Sequence, residues 1–465
     1  MKFSERARSV ISKIEILIAV VMFFVMLISC GMYINVKLNG KVSNLPPLSE
    51  NDTKMLLRSS VTDNISYNDD LLEPTFIGIK KNGKLSAALP DDEIRRSVEA
   101  SIYDAVGTLF GGTYKKIEFD SNQKLQEYVE QIKNSEDYIL VGFYRDLPST
   151  VMLPCIVGNY RVADSKDIFL FKYLFLLPDR NGNLYACSLS EDYEITELYP
   201  AQSIKFDKIL NESYDVSEGW SDFEYSDDDL LNPVLLSSFK AYGYKTESFA
   251  SLYGKDNKQA WVMNLFDVFS INSSLVRSFT SGDNTEINHV DEFSELIIND
   301  SGDVEFKSTE TGGVNLDEYI GYMSDSVSAN SFSDKIYVLK TMINKICKDS
   351  DGVSYSMVGI NYDNEKDSLK VYFKYTVDGI FVYGSSYDAV FEISRNLLVY
   401  ARFKVFKCNR VHEVQSVILP QKYAMVASED NGIAGDLCLV LSQTEDSDVM
   451  TVNWAASPYD MEVDK

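Results

Sequence analysis

Histidine is almost missing from this chain. Its 465 residues include only His289 and His412, and neither belongs to a spaced motif. H-E-x-x-H, G-x-S-x-G and the P-loop are all absent, which removes the zincin, hydrolase-elbow and nucleotide-cradle chemistries that need them. Cysteine is sparse and scattered, at positions 30, 155, 187, 347, 408 and 438. No two stand at C-x-x-C spacing, so structural zinc and thioredoxin-like redox chemistry are excluded. Six cysteines in a chain of this length do not demand a disulfide framework, and free, buried thiols are the expectation. Basic residues are also short, with 44 Lys and Arg against 70 Asp and Glu, for a net charge of −26. Phosphate recognition needs a basic face, so nucleic acid is excluded as a partner. The same charge holds the body of the protein off an anionic membrane surface.

Two smaller motifs invite chemistry. Ser237-Ser238-Phe239-Lys240 has the S-x-x-K spacing of penicillin-binding enzymes, where a serine sits one helical turn before the lysine that takes its proton. Ser328-Ala329-Asn330 lies downstream, but no K-T-G follows at a suitable place, since Lys340-Thr341-Met342 falls inside a predicted helix. An exported serine hydrolase is therefore the minor alternative. Asp179, Asn181 and Asn183 offer oxygens to a cation, but the twelve-residue calcium loop is missing and a hairpin turn explains them better. No catalytic, cofactor-binding or metal-binding residue is assigned, and no cofactor is expected.

What the chain does have is one long apolar run and many aromatics. Residues 16–34, ILIAVVMFFVMLISCGMYI, are nineteen positions without a charge. About 20 residues cross a bilayer core of roughly 30 Å. Lys2, Arg6, Arg8 and Lys13 precede the run, and only Lys37 and Lys41 follow closely. That bias places the N-terminus in the cytoplasm and the bulk outside, in a single-pass arrangement. Leu27-Ile28-Ser29-Cys30 also has the form of a lipoprotein cleavage box, so a lipid on Cys30 is the alternative anchor. The run continuing through Met32, Tyr33 and Ile34 favours an uncleaved helix. In that helix Ser29, Cys30 and Gly31 form a small-residue patch suited to close helix–helix contact.

With 29 Tyr and 25 Phe the exported part favours strands. The expected divisions are a cytoplasmic N-terminus (1–13), a transmembrane helix (14–36), a linker (37–72) and three α+β units (73–194, 195–325 and 326–465). Each unit is a helix followed by an antiparallel meander. In the first, the spacing predicts a helix through Val98, Ile102, Val106 and Leu109, ended by Gly111-Gly112. A second carries Leu125, Tyr128, Val129 and Ile132. YILVGFY (138–144) reads as a strand, and 168–178 with 183–189 as a hairpin about Asn181-Gly182. In the second unit a helical pattern is predicted around Leu235–Tyr242, WVMNLFDVF (261–269) reads as a strand, and 295–308 as a hairpin. In the third, Ile336, Leu339, Ile343 and Ile346 form a helix stripe. Leu369, Val371, Phe373, Tyr375 and Val377 then alternate with Lys370, Tyr372, Lys374 and Thr376, predicting one buried and one exposed strand face. AVFEI (389–393) and LLVYARFKVF (397–406) continue the sheet about Ser394-Arg395-Asn396.

Several stretches together resemble the YycH family. They are YILVGFYRDLPSTVM (138–152), NLFDVFSINSSLVRSFTSGDNTEINHVDEFSELIINDSGDVEF (264–306), YTVDGIFVYGSSYDAVFEISRNLLVYARFKV (375–405) and MTVNWAAS (450–457). The third is also similar to an element of the sister YycI family. The usual Pro before Trp454 is absent here. The resemblance implies a regulator, not an enzyme. It would modulate a WalK-type (YycG) sensor histidine kinase in the two-component system of Gram-positive cell-wall homeostasis, through its membrane helix and ectodomain, with a YycI-like partner. The alternative is a lipid-anchored cell-surface protein that binds an extracellular ligand.

Overall fold

A computed structural model describes residues 72–88, 93–156, 169–214, 220–225, 233–247, 255–280, 286–309, 312–317, 332–347, 353–363, 366–383, 388–430, 437–443 and 449–456. All of them belong to the unit Tyr67–Lys465. The predicted membrane segment at 14–36, with Ser29, Cys30 and Gly31, lies outside the described residues, as does the linker up to residue 71. Among the described residues no helix is long and apolar enough to cross a membrane.

The first part of the chain runs β1 (Phe76–Lys81), β2 (Lys84–Ala88), α1 (Glu93–Phe110), β3 (Thr113–Ile117), α2 (Asn122–Lys133), β4 (Tyr138–Pro148), α3 (Ser149–Ile156), β5 (Leu170–Pro178), β6 (Leu184–Leu189), β7 (Ile195–Tyr199), α4 (Phe206–Tyr214) and β8 (Trp220–Ser221). Its strands form one antiparallel sheet in the order β3-β7-β6-β5-β4-β1-β2-β8. A small ribbon follows, β9 (Phe223–Tyr225) with β10 (Pro233–Leu235).

The remainder runs β11 (Phe239–Glu247), α5 (Lys255–Val268), β12 (Arg277–Thr280), β13 (Glu286–Val290), β14 (Ser294–Asn299), β15 (Asp303–Ser308), β16 (Val314–Asn315), α6 (Phe332–Cys347), β17 (Ser354–Asp363), β18 (Ser368–Val377), β19 (Ile380–Val382), β20 (Ala389–Ser394), β21 (Leu397–Lys404), β22 (Lys407–Ile418), α7 (Gln421–Asp430), β23 (Leu437–Gln443) and β24 (Val449–Ala456). Its strands make a 14-stranded sheet in the order β12-β13-β14-β15-β21-β20-β18-β19-β23-β24-β11-β22, with β16 beside β21 and β17 beside β18. The pairing of β19 with β23 is parallel. The fold is therefore α+β, as the sequence implies.

Most elements form where side-chain spacing places them. The helix α1 buries Val98, Ile102, Val106 and Leu109, and α6 buries Ile336, Leu339, Ile343 and Ile346. Both stripes recur at three or four residues and enter one continuous core with the inner faces of the two sheets. The β5–β6 turn confirms the hairpin reading. Gly182 adopts φ 71°, and the Asp179 carboxylate accepts the backbone N–H groups of Asn181 and Asn183 at 2.7 and 2.8 Å. Those bonds hold its carboxyl below the usual carboxylate range. Asp179 thus fastens its own turn.

Two expectations fail. Residues 261–269 belong mainly to α5, not to a strand. Trp261, Leu265 and Val268 recur at helical spacing and are buried, and this outweighs the local β preference of the aromatics. The stretch around Leu235–Tyr242 is not a helix but β10 and the start of β11. There Phe239, Ala241 and Gly243 face inward while Lys240 faces out, a period of two. Among the described residues Cys155, Cys187, Cys408 and Cys438 form no disulfide, and the first three are buried.

Candidate functional site

One connection shapes the second sheet. β21 and β22 are consecutive in the chain, joined only by Val405 and Phe406, yet β20, β18, β19, β23, β24 and β11 stand between them in the strand order. Across a flat sheet seven strand spacings would span roughly 34 Å. Three Cα–Cα steps cover at most about 11 Å. The sheet must therefore roll until its two arms meet at residues 404–407, and contacts across the roll show that it does.

The first contact set centres on Asp378. Asp378 and Gly379 form the two-residue turn between β18 and β19, with φ angles of 51° and 76° that suit a tight hairpin. The Asp378 carboxylate accepts the Tyr244 hydroxyl of β11 and the Arg410 guanidinium of β22, each at 2.8 Å. The guanidinium also lies 4.9 Å from the centre of the Tyr242 ring. Strands from the far arm are thus latched to a turn in the middle of the sheet. Cys408 is buried close by. Burial, and then the Asp378 charge, push its thiol up to about 12.

The second set centres on Tyr375 of β18. Its ring meets Tyr355 edge-on at 4.9 Å and Phe406 at 5.1 Å. Its hydroxyl accepts the Lys404 backbone N–H, and the Tyr355 hydroxyl donates to the Lys404 carbonyl at 2.9 Å. Beside it the Asp388 carboxylate accepts the Tyr375 backbone N–H at 2.9 Å and pairs with the Lys374 ammonium at 3.3 Å. Here the predicted alternation of β18 gives way. Lys370 and Tyr372 keep to the partly exposed face, but every residue from Phe373 to Val377 is buried. Rolling covers both faces of the strand at this end, and Lys374 is enclosed with a carboxylate partner.

Together these residues surround an open cleft of about 900 Å³ at one end of the roll. Lys245, Thr246 and Glu247 line it from β11. Tyr375, Asp388, Val382 and Gln443 line it from the middle strands. Lys404, Phe406 and the Ser301 turn line the third side. A rolled sheet of about eight strands leaves an interior wide enough for one small ligand at its mouth.

The S-x-x-K pair finds no such setting. Ser237 lies on a bend and Lys240 on β11 opposite Val417, so no helical turn brings the two together. Lys340 is on α6, where its ammonium donates to the Cys155 carbonyl at 2.9 Å and ties α6 to α3. His289 is buried, with Nδ1 2.8 Å from the Ser278 hydroxyl and its ring against Phe266. His412 packs on Tyr242. His289 is a packed residue and His412 an exposed one. Among the described residues no cluster of His, Cys, Asp or Glu is arranged to hold a metal ion.

No protein-family model matches the sequence, and no curated protein sequence does. The structure places the chain in the class of α+β proteins built from two large sheets. Within it the chain has a YycH-type fold. It is similar to the crystal structure of YycH from Bacillus subtilis over 84% of this chain and 95% of that one, with a TM-score of 0.53 at 13% sequence identity. An uncharacterized protein from Eubacterium rectale overlaps 47% of this chain with a TM-score of 0.30, too low to carry a statement about fold.

Proposed function

We propose that the chain is a membrane-anchored, extracytoplasmic regulatory protein that modulates a WalK-type sensor histidine kinase by protein–protein contact, alongside a YycI-like partner. The observation that carries this reading is the YycH-type fold, which extends over most of both chains. The charge-free segment at 16–34, its basic flank and the order of the family-like stretches support it. Regulation of this kind needs no chemistry. A protein that binds one conformer of the kinase better than the other shifts its output. Ser29, Cys30 and Gly31 are the proposed helix–helix contact, because small residues let backbones approach within a bilayer.

The test is reconstitution of the full chain with a WalK-type kinase in proteoliposomes, reading autophosphorylation and co-purification. We expect the chain to change the phosphorylation rate, and replacement of 14–36 by an unrelated apolar helix to remove most of that change. A kinase that neither co-purifies with the chain nor alters its rate refutes the reading. Palmitate incorporation that is lost in Cys30→Ala would instead establish the lipid-anchored alternative.

A further inference from the structure

We propose that residues 457–465 form an intramolecular strap, seated across an exposed apolar face made by α7 and the end of β22. The strap is independent of the regulator reading, and its failure leaves that reading untouched.

The face lies where the edge strand β22 passes into α7. Val417, Leu419, Tyr423 and Val426 are each between 54% and 67% exposed. Tyr423 and Val426 stand one turn apart on the helix, and Ala427 extends their exposed face. The other face of α7 is already used. It lies against β10, β23 and β24, with Gln421 buried and Ala424, Met425 and Ser428 half-buried. Scattered exposed apolar side chains need no explanation, but a group of large ones marks a surface that something covers.

Two contacts put the start of the segment beside this face. The Trp454 indole N–H of β24 donates to the Leu419 carbonyl at 2.8 Å. The Gln421 amide, in the first turn of α7, donates to the Leu437 carbonyl at 3.3 Å, and Leu437 is the register partner of Ala456. The chain therefore leaves β24 at the first turn of α7. The Cα steps from Ala456 to Val463 cover at most about 25 Å. The helix, with its 10 residues, is about 15 Å long, so the segment can reach all of its exposed face.

The residues of the segment suit the surface. In SPYDMEVDK, Tyr459, Met461 and Val463 alternate with Asp460, Glu462 and Asp464, so an extended conformation presents one apolar and one acidic edge. Lys240, exposed opposite Val417 in the β11–β22 register, and Lys422 of α7 flank the face with the opposite charge. A tethered segment meets its site at an effective concentration on the order of millimolar. A second copy would instead bring another net charge of −26 to the same place and be repelled. While seated, the strap closes the face to other proteins.

The test labels single introduced cysteines with a maleimide in the full chain, held in lipid nanodiscs. Mass spectrometry reads each site by its own peptide, apart from the native thiols. Each rate is divided by that of the same cysteine in the urea-unfolded chain, which removes the effect of neighbouring acids on thiol reactivity. We expect Met461→Cys to react about tenfold or more slower than Glu462→Cys, since the strap hides one phase of its alternation. Val463→Cys against Asp464→Cys repeats the comparison. Tyr423→Asp combined with Val426→Asp should bring the rate at 461 to within about twofold of that at 462. The milder pair Tyr423→Ser and Val426→Ser should move it in the same direction, with unchanged hydrogen exchange over β24 showing an intact sheet. Equal rates at 461 and 462, and at 463 and 464, overturn the proposal. So does slow labelling at 461 that survives both double substitutions. Slow labelling that is lost on dilution by about tenfold also overturns it, because the cover is then a second copy.

Discussion

The Lys374–Asp388 pair allows a sharp test of the rolled sheet, because its energetics depend on the burial that rolling creates. The substitution is Asp388→Asn, which keeps an oxygen for the Tyr375 N–H and removes the charge 3.3 Å from the Lys374 ammonium. At that separation the attraction is about 5 kcal/mol for an effective dielectric of about 20. Breaking a buried pair by removing one partner typically costs about 3–5 kcal/mol, since the remaining charge stays in low dielectric. The Lys374 side chain is 1% exposed but that of Asp388 is 13% exposed, so water reaches one side and the lower end, about 3 kcal/mol, is expected. Lys374→Met should cost less, about 1–2 kcal/mol, because it fills the same space without a charge and leaves the more accessible partner behind. The double variant should lie within about 1 kcal/mol of the parent, giving a coupling of about 3–5 kcal/mol. Hydrogen-exchange mass spectrometry over Ser368–Val377 in the full chain reads this directly. Asp388→Asn should speed exchange there by about a hundredfold. An effect below about 0.5 kcal/mol would show that the pair sits in water. An Asp388→Asn variant less damaged than Lys374→Met would refute the reasoning about which charge is trapped.

Two further outcomes follow from the same geometry. Burial holds the His289 imidazole below its ordinary value of 6.5, so the unfolded chain takes up a proton before the folded chain does. Stability should fall as pH drops below 6.5 toward the lowered folded value, and His289→Gln should flatten urea-midpoint curves between about pH 7 and 6, with parallel curves arguing against it. Asp378→Asn keeps a residue that tolerates the left-handed turn but removes the charge that accepts from Tyr244 and Arg410. The loss of about 1.5–3 kcal/mol should loosen the roll and raise maleimide labelling of Cys408 by about tenfold or more, whereas unchanged labelling would mean that Asp378 does not hold the arms together.

Much of the fold was legible because local pattern and tertiary burial agree. The α1 and α6 stripes and the β5–β6, β14–β15 and β20–β21 hairpins all lie where spacing and turn residues put them. The misreadings fall where two signals compete over a short window. Residues 261–269 combine aromatic and β-branched residues with a helical period, and the buried Trp261, Leu265 and Val268 decide it. At 239–247 the alternation of Phe239, Ala241 and Gly243 decides in favour of a strand, although nearby leucines suggest a helical stripe. A period read over four or five residues cannot separate these cases. The partner surface separates them, and sequence does not display it.

The cleft was not legible at all, and the reason is topological. Residues 397–418 contain almost no turn residue, and LLVYARFKVF reads as a single strand. In the structure the chain leaves one arm of the sheet at Lys404 and enters the other at Lys407, with only Val405 and Phe406 between. Nothing in the alternation announces the change, because both flanking stretches are strands and both linking residues are buried. Only the strand order shows that six other strands lie between β21 and β22, and only then does the short link become a demand for curvature. Lys374 carries the same lesson. Its place in the alternation puts it on a solvent face, and that is correct for Lys370 four residues earlier. The rule fails where rolling covers the second face, and an enclosed ammonium at that point needs a carboxylate that sequence distance does not suggest. Asp388 supplies it from the entrance to the neighbouring strand β20. A charged residue buried on the polar face of its strand thus marks where this sheet closes on itself, beside the wall of the cleft.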